Sequence, residues 1–178
     1  MASITSLLEL SSLAKLSGWI IAPIILIQIA QLSTSLKEWT LTYVKNKDLI
    51  QKKLKSHTEK GNVLTFTFTD KTHEYVLQEE LDSNYKGQTN PTTLVCPATP
   101  NNLTALIKQW NQLVKRKDLT VVFVNLETHD KWLVHPPTHH LIADTATLEL
   151  GLKSMFAQVA GLPLPPEPKR AKKVMEEP

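Results

Sequence analysis

One stretch of the chain restricts its folding more than any other, because residues 16–36, LSGWIIAPIILIQIAQLSTSL, carry no charge. About 20 such residues in a helix span the roughly 30 Å hydrocarbon core of a bilayer, so the length suffices. Glu9 precedes the run, and neither a basic cluster nor a small-residue cleavage site accompanies it. We therefore expect a retained segment, not a cleaved secretory signal.

The polar residues of this segment gather on one side of the expected helix. Ser17, Gln28, Gln31 and Ser35 lie near one another at helical spacing, and such a polar seam is typical of a helix that meets a partner helix. The sequence thus predicts that Gln28 and Gln31 contact a protein partner or a second copy of the chain. Because Gln28 and Pro23 weaken membrane insertion, a buried helix or the stem of an oligomer is the alternative.

Charge and cysteine usage indicate where the rest of the chain lies. Six lysines follow the segment closely, whereas only Lys15 precedes it; the six are Lys37, Lys45, Lys47, Lys52, Lys53 and Lys55. The positive-inside rule then places everything after Leu36 in the cytoplasm. Cys96 is the only cysteine, which excludes an intramolecular disulfide and fits a reducing compartment. We expect a membrane-associated protein with a cytoplasmic domain, a soluble cytoplasmic protein being the alternative.

Residues 37–160 have the pattern of one α/β domain with a mixed sheet, behind the N-terminal helix of residues 1–36. Thr99-Pro100 predicts a helix start, and the residues LTVVFV are apolar on both faces, as in a central strand. The first expected elements are a helix over 36–57 stopped by Gly61, a hairpin over 63–78 with one solvent-exposed face, and a strand over 93–96. A helix from Pro100, a parallel strand over 119–124 and an edge strand over 131–134 follow. The last expected element is a helix capped by Asp144, with an apolar stripe of Leu148, Leu152, Met155 and Val159.

The order helix, three strands, helix, strand resembles the core of the restriction-endonuclease-like fold, over roughly residues 36–125. In that family an acid on the second strand and a Glu-x-Lys pair on the third hold Mg²⁺ and stabilise the attacking water. The third strand here, Thr93 to Pro97, contains neither an acid nor a lysine. The resemblance therefore implies a nuclease-like core without its metal site.

The densest polar cluster is the loop HPPTHH, which begins at His135. His135 and His139 can face one way on a turn, and His140 can share a helix face with Asp144, so these four residues are the candidate metal ligands. The two prolines break regular spacing, and the chain lacks the glutamate of His-Glu-x-x-His. The simpler interpretation is a loop of solvated or capping histidines.

Other kinds of chemistry lack a motif. Cys96 lies in an apolar strand, where a thiolate is costly, so we expect a buried structural cysteine. Trp110 and Trp132 are expected to pack in the core or at an edge. The chain has five glycines and neither standard phosphate-binding glycine loop, so no nucleotide cofactor is expected.

The tail, residues 161–178, is rich in proline and charge and is expected to be extended. Its basic residues are candidates for contacts with anionic lipid, nucleic acid or an acidic protein; they are Lys169, Arg170, Lys172 and Lys173. A formal net charge of +3 for the whole chain favours such local contacts over coating of nucleic acid.

The sequence leads to three hypotheses for function. The first is a non-enzymatic, membrane-anchored or membrane-associated adaptor that presents a protein-binding α/β domain. The second is a nucleic-acid-associated protein with a degenerate nuclease-like core, and the third is a metal-dependent hydrolase that uses the loop of His135 to His140.

Overall fold

A computed structural model describes residues 31–85 and 91–165, which form an α/β fold around a six-stranded mixed sheet. The helices are α1 (31–48), α2 (Pro100–Lys108), α3 (Trp110–Leu113), α4 (Pro136–Ile142) and α5 (Thr145–Ala160). The strands are β1 (Leu54–Lys60), β2 (Val63–Phe68), β3 (Thr72–Leu77), β4 (Thr92–Pro97), β5 (Leu119–Val124) and β6 (Lys131–Val134). They lie in the sheet in chain order, with β3, β4 and β5 parallel and the other neighbours antiparallel.

Two separate cores cover the two faces of this sheet, because successive strand residues point to opposite sides. On the crossover face, side chains such as Leu94, Val121 and Phe123 pack with the helices α2, α3 and α5. On the α1 face, Val95 and Val122 pack beneath the single helix α1. The predicted parallel crossover and the antiparallel edge strand after it are both confirmed.

The crossover helix begins where the sequence predicted. Thr99 precedes Pro100, and the Thr99 hydroxyl accepts a hydrogen bond from the backbone N–H of Asn102 at 3.3 Å. Asn102 itself is buried: its side chain accepts from the backbone N–H of Leu81 and donates to the carbonyl oxygens of Glu79 and Pro97, all at 2.9 Å. This one amide ties the loop after β3 to the start of α2.

The predicted helix over residues 36–57 is too long. The helix ends at residue 48, because the Asp48 carboxylate accepts the backbone N–H groups of Lys53 and Leu54 at 2.9 Å, and Lys52 adopts a φ of 51°. The chain then forms β1, an edge strand whose residues after Leu54 are all exposed. Gly61, expected to stop the helix, instead lies in the two-residue turn between β1 and β2 with a φ of 60°.

Two burial predictions also change. The hairpin of β2 and β3 was expected to have one solvent-exposed face, but Glu74 and Val76 of β3 are buried, because β3 lies inside the sheet with helices over both faces. In α5, Leu148, Leu152 and Val159 pack at the crossover-face core as predicted, but Met155 is 46% exposed and Phe156, at 1% exposed, takes the place predicted for it.

The first described turns of α1 contain the last residues of the predicted N-terminal segment. Leu36, the last residue of the predicted segment, is 1% exposed and belongs to the α1-face core, and its carbonyl oxygen accepts from the Thr40 hydroxyl at 2.7 Å. Gln31, Ser33 and Ser35 are exposed. None of the helices in the described part of the chain is long and apolar enough to cross a membrane. Residues 16–30 of the predicted span lie outside the described residues.

Candidate functional site

A single helix does not cover the whole α1 face, and a groove of about 900 Å³ remains between α1 and the turn that leads into β6. We call it the α1–β6 groove. Its walls include Trp39, Tyr43 and Lys47 from α1, Leu126 and His129 from the turn between β5 and β6, and Lys131 at the start of β6. The groove thus joins residues that are more than 80 positions apart in the sequence.

Two aromatic rings form the centre of the α1 wall. Trp39 and Tyr43 are one helical turn apart, so their side chains lie on the same side of α1. Their rings stack with centroids 5.0 Å apart and an interplanar angle of 10°. Both side chains also pack against the α1-face core, and partial burial raises the pKa of Tyr43 above its ordinary value. The pair is therefore a rigid aromatic surface.

Two ammonium groups from different elements converge on the Tyr43 ring. Lys131 Nζ lies 5.4 Å from the ring centroid, and Lys47 Nζ lies 6.0 Å from it. Such cation–π contacts contribute roughly 0.5–1 kcal/mol at exposed sites. Among the described residues, neither lysine forms a salt bridge with an acidic side chain. Glu38 also lines the groove, but it forms no salt bridge with either lysine in the described chain. Both positive charges are thus available to an anionic group.

The opposite wall is held by a tight turn. The Asn125 amide oxygen accepts the backbone N–H of Glu127 at 3.0 Å and that of Thr128 at 3.3 Å, while the Asn125 amide nitrogen donates to the carbonyl oxygen of Val159 in α5. His129 then adopts a φ of 62°, which is rare for a residue with a side chain. This bonded turn fixes His129 and Lys131 at the edge of the groove.

A row of polar side chains crosses the α1 face near the start of the parallel strands. His73 Nε2 lies 2.8 Å from Thr93 Oγ1, and Thr120 Oγ1 lies 3.0 Å from His135 Nδ1. Thr93 and Thr120 are direct neighbours in the pairing of β4 with β5. Burial, together with Lys71 and Lys47, lowers the pKa of His73 from 6.5 to about 4. Both histidines are therefore predominantly neutral at pH 7, since the pKa of His135 is also lowered, chiefly by burial.

A second, smaller groove of about 170 Å³ lies on the other side of the C-terminal turn of α1. Lys47 lines both grooves, and His73 lines the smaller one. Its other charged residues are largely engaged: Lys53 pairs with Asp70 at 3.2 Å, and Asp48 holds the turn after α1. The larger groove is consequently the better candidate for a binding site.

The predicted histidine cluster is only partly assembled. His135 precedes α4, and His139 Nδ1 lies 2.9 Å from the His135 carbonyl oxygen, so these two residues are close. His140 and Asp144 do not share a helix, because Ala143 is extended and ends α4 before α5 begins. No group of three or more His, Cys, Asp or Glu residues within 31–85 and 91–165 is arranged to hold a metal ion.

Three other predictions concern buried residues. Cys96 is fully buried, with its sulfur 3.7 Å from the Val122 carbonyl oxygen, and burial raises the pKa of its thiol. Trp110 and Trp132 are each 7% exposed in the crossover-face core. The predictions that these three residues are buried are confirmed.

The predicted partner-binding residues lie mostly outside the described residues. This holds for Gln28 and for the four basic residues of the tail, Lys169, Arg170, Lys172 and Lys173. Gln31 is the first described residue, and its side chain is exposed at the start of α1. Its carbonyl oxygen accepts the Ser35 hydroxyl at 2.9 Å.

The groove residues were not predicted as a site. Trp39 and Tyr43 lie within the helix predicted over residues 36–57, and the spacing Trp39, Tyr43, Lys47 is a signal for an aromatic and basic row on one helix face. Lys131 and His129 carry no such signal, because only the tertiary fold brings them to α1. Comparisons of the chain with protein-family models, with curated proteins and with solved structures found no match.

Proposed function

We propose that the protein is a non-enzymatic, membrane-associated adaptor. Its N-terminal segment, residues 16–35, tethers it, and its α/β domain binds an anionic partner in the α1–β6 groove. The tether acts through lipid contact, and the polar seam with Gln28 and Gln31 gives it a surface for a protein partner or a second copy.

The observation that carries the tether is the location of the two cores. Both faces of the sheet are packed by side chains from Leu36 onward, through Phe156 and its neighbours in α5. The first described residues of α1, including Gln31 and Ser35, are exposed. The described residues thus pack both faces of the sheet, and we propose that the apolar surface of residues 16–30 contacts lipid or another chain.

The contents of the groove support binding as its role. A stacked aromatic pair gives contact area at little conformational cost, and two lysines without acidic partners in the described chain give positive potential. These groups suit recognition of a partner through stacking and charge. The partner that fits them has negative charge and a flat, apolar surface.

The test of the tether compares the full chain with residues 31–178. We expect the full chain to float with liposomes in a density gradient, and the truncated chain to remain at the bottom while unfolding cooperatively on heating in detergent-free buffer. The truncation begins at residue 31 because Leu36 and Thr40 are core residues. If the truncated chain aggregates, the segment belongs to the core and the tether is wrong.

A pair of matched substitutions separates insertion from general damage. Ile24→Arg places a charge in the middle of the uncharged run, where it costs about 2.5–3.5 kcal/mol on insertion-derived scales, so flotation should fall by roughly a hundredfold. Ile50→Arg is the control, because Ile50 is 94% exposed in the turn after α1. It should leave flotation unchanged. Equal effects of the two changes would contradict membrane insertion of the segment.

A further inference from the structure

We propose that the partner held in the α1–β6 groove is a single-stranded nucleic acid. Its bases lie against the aromatic pair Trp39 and Tyr43, and its phosphates lie at Lys47 and Lys131. This inference rests on the groove being the partner site of the proposed function, and it names the chemical class of that partner.

The aromatic wall has the geometry of a base-stacking surface. Trp39 already stacks on Tyr43 at a centroid distance of 5.0 Å, so a planar ring placed on Trp39 would extend an existing stack. Ser35, one turn earlier on the same wall, is small and turns its hydroxyl toward the Gln31 carbonyl oxygen. The wall thus leaves room beside Trp39 for a flat group. Stacking on aromatic side chains is the contact that sequence-tolerant single-strand binders share.

The cations lie where the next phosphates of such a strand would pass. Lys47 follows Tyr43 by one turn of α1, and Lys131 reaches the same ring from β6. The two rings are adjacent and both ammonium groups lie beside Tyr43, so a strand with a base on Trp39 would bring its backbone phosphates toward the lysines. Thr42 and Asn46 line the same wall and add a hydroxyl and an amide for contacts to sugar or phosphate.

The length of the groove favours a strand over a single nucleotide. The α1 wall runs from Ser35 to Lys47, roughly 18 Å along the helix axis at about 1.5 Å per residue. One nucleotide would reach only one end of this row, whereas several successive nucleotides would reach both. An acidic peptide would satisfy the lysines but leave the stacked rings unused, so the combination points to nucleic acid.

The experiment measures fluorescence anisotropy of a labelled twelve-nucleotide oligothymidylate with the full chain in mild detergent. An abasic strand with the same number of phosphates is the matched probe. Because stacking contributes to affinity for each base, we expect the abasic strand to bind at least about tenfold more weakly. Equal affinities for the two strands would overturn the stacking geometry and the inference with it.

The lysines are tested by the salt dependence of binding. The double variant K47Q/K131Q should reduce the slope of log affinity against log salt by about 1.4, since each phosphate contact on a single strand contributes about 0.7. The matched control is K45Q/K55Q, which also removes one exposed lysine from α1 and one from an edge strand, both outside the groove. A control pair that lowers the slope as much would overturn the assignment.

Variants of Trp39 and of the basic tail test whether binding depends on the groove. Trp39→Leu should weaken oligothymidylate binding about tenfold, and Trp39→Phe should keep most of it, because phenylalanine retains a stacking ring. A tail variant with Lys169, Arg170, Lys172 and Lys173 changed to glutamine should retain the groove-dependent difference between the two strands. If the tail variant abolishes that difference while Trp39→Leu does not, the inference is wrong.

A third probe distinguishes failure of this inference from failure of the proposed function. Binding of an oligoglutamate peptide or of vesicles containing phosphatidylserine that depends on Lys47 and Lys131, with neither oligonucleotide bound, would show that the assignment of nucleic acid is wrong. The groove would then remain a site for an anionic partner. If none of these probes binds in a groove-dependent way, the partner site is also wrong. The flotation assay with residues 31–178 tests the tether independently of all these results.

Discussion

The two faces of the sheet are built from the same strands but have different contents. On the crossover face, Phe123 packs against Trp132 and Phe156, and three helices close the core above it. On the α1 face, one helix covers the middle of the sheet, and the polar row of His73 and Thr93 lies beside it. In the described chain the helices α2, α3 and α5 pack over the first face, whereas the second has grooves on both sides of the C-terminal turn of α1.

This difference follows from where the connections of the parallel strands run. The links from β3 to β4 and from β4 to β5 contribute Leu81, Leu106 and Leu113 to the crossover face, so that face receives the helices and loops that close it. Among the described helices, α1, which precedes the sheet, is the one that lies over the other face. Binding residues are thus expected on the α1 face, and changes on the crossover face should act mainly on stability.

The largest effect should come from Val122→Asp. Val122 is 1% exposed in the α1-face core, so the carboxylate would be buried without a partner, and we expect a loss of more than about 4 kcal/mol in the free energy of unfolding. Urea denaturation followed by circular dichroism measures it. Thr120→Asp is the control on the same strand and face: Thr120 is half-buried at the open end beside His135, and the change should cost less than about 1 kcal/mol. Equal losses in the free energy of unfolding for the two variants would contradict the difference between the buried core at Val122 and the partly exposed end of β5 at Thr120.

The next effect should come from Asn102→Ala on the crossover side. The substitution removes three buried hydrogen bonds and leaves the backbone N–H of Leu81 without its acceptor, so we expect a cost of about 3 kcal/mol. Asn101→Ala in the same turn of α2 is the control, because Asn101 is exposed, and it should change stability by less than about 0.5 kcal/mol. Thermal unfolding of both variants gives the comparison, and equal melting temperatures would contradict the role of Asn102.

A smaller effect should appear in the pH dependence of stability. The pKa of His73 is about 4 in the folded chain and 6.5 in the unfolded chain, because burial disfavours the charged imidazole. The contribution of His73 to the free energy of unfolding is therefore complete above about pH 6.5. It is lost as the pH falls toward 4, because the imidazole takes up a proton in the unfolded chain before it does so in the folded chain. We expect His73 to account for about 2 kcal/mol of this loss, allowing for its partial exposure. The variant His73→Gln should lose correspondingly less stability between pH 6.5 and 4; an unchanged slope would contradict the buried neutral histidine.

Much of the crossover face was predictable from local patterns. Thr99-Pro100 marks a helix start through its hydroxyl and its fixed φ, and LTVVFV reads as a strand buried on both sides; both predictions are confirmed. The strand β1 was missed because its residues after Leu54 are polar and exposed on both sides, so no alternation of hydrophobicity marks it. The helix end at Asp48 was missed because its two hydrogen bonds reach residues 53 and 54, after the turn.

The candidate site depends on contacts that local patterns do not contain. The row Trp39, Tyr43, Lys47 is readable as a helix face, but the approach of Lys131 to Tyr43 requires the pairing of β6 with β5 and the placement of α1 over the sheet. The proximity of Thr93 and Thr120 likewise depends on strand register. Conversely, the conspicuous histidine loop is separated from Asp144 by the extended residue Ala143. The helix start predicted at Asp144 was a local signal of this break, and the grouping of His140 with Asp144 on one helix face did not take it into account.

The most direct test of the binding face uses the indole N–H signals of the tryptophans in a proton–nitrogen correlation spectrum of the full chain. Trp39 lines the α1–β6 groove, whereas Trp110 and Trp132 lie in the crossover-face core. The variant Trp39→Phe assigns the groove signal by removing it. Addition of oligothymidylate should shift the Trp39 signal and leave those of Trp110 and Trp132 in place. A shift of the Trp110 or Trp132 signal with an unmoved Trp39 signal would contradict the assignment of binding to the α1 face.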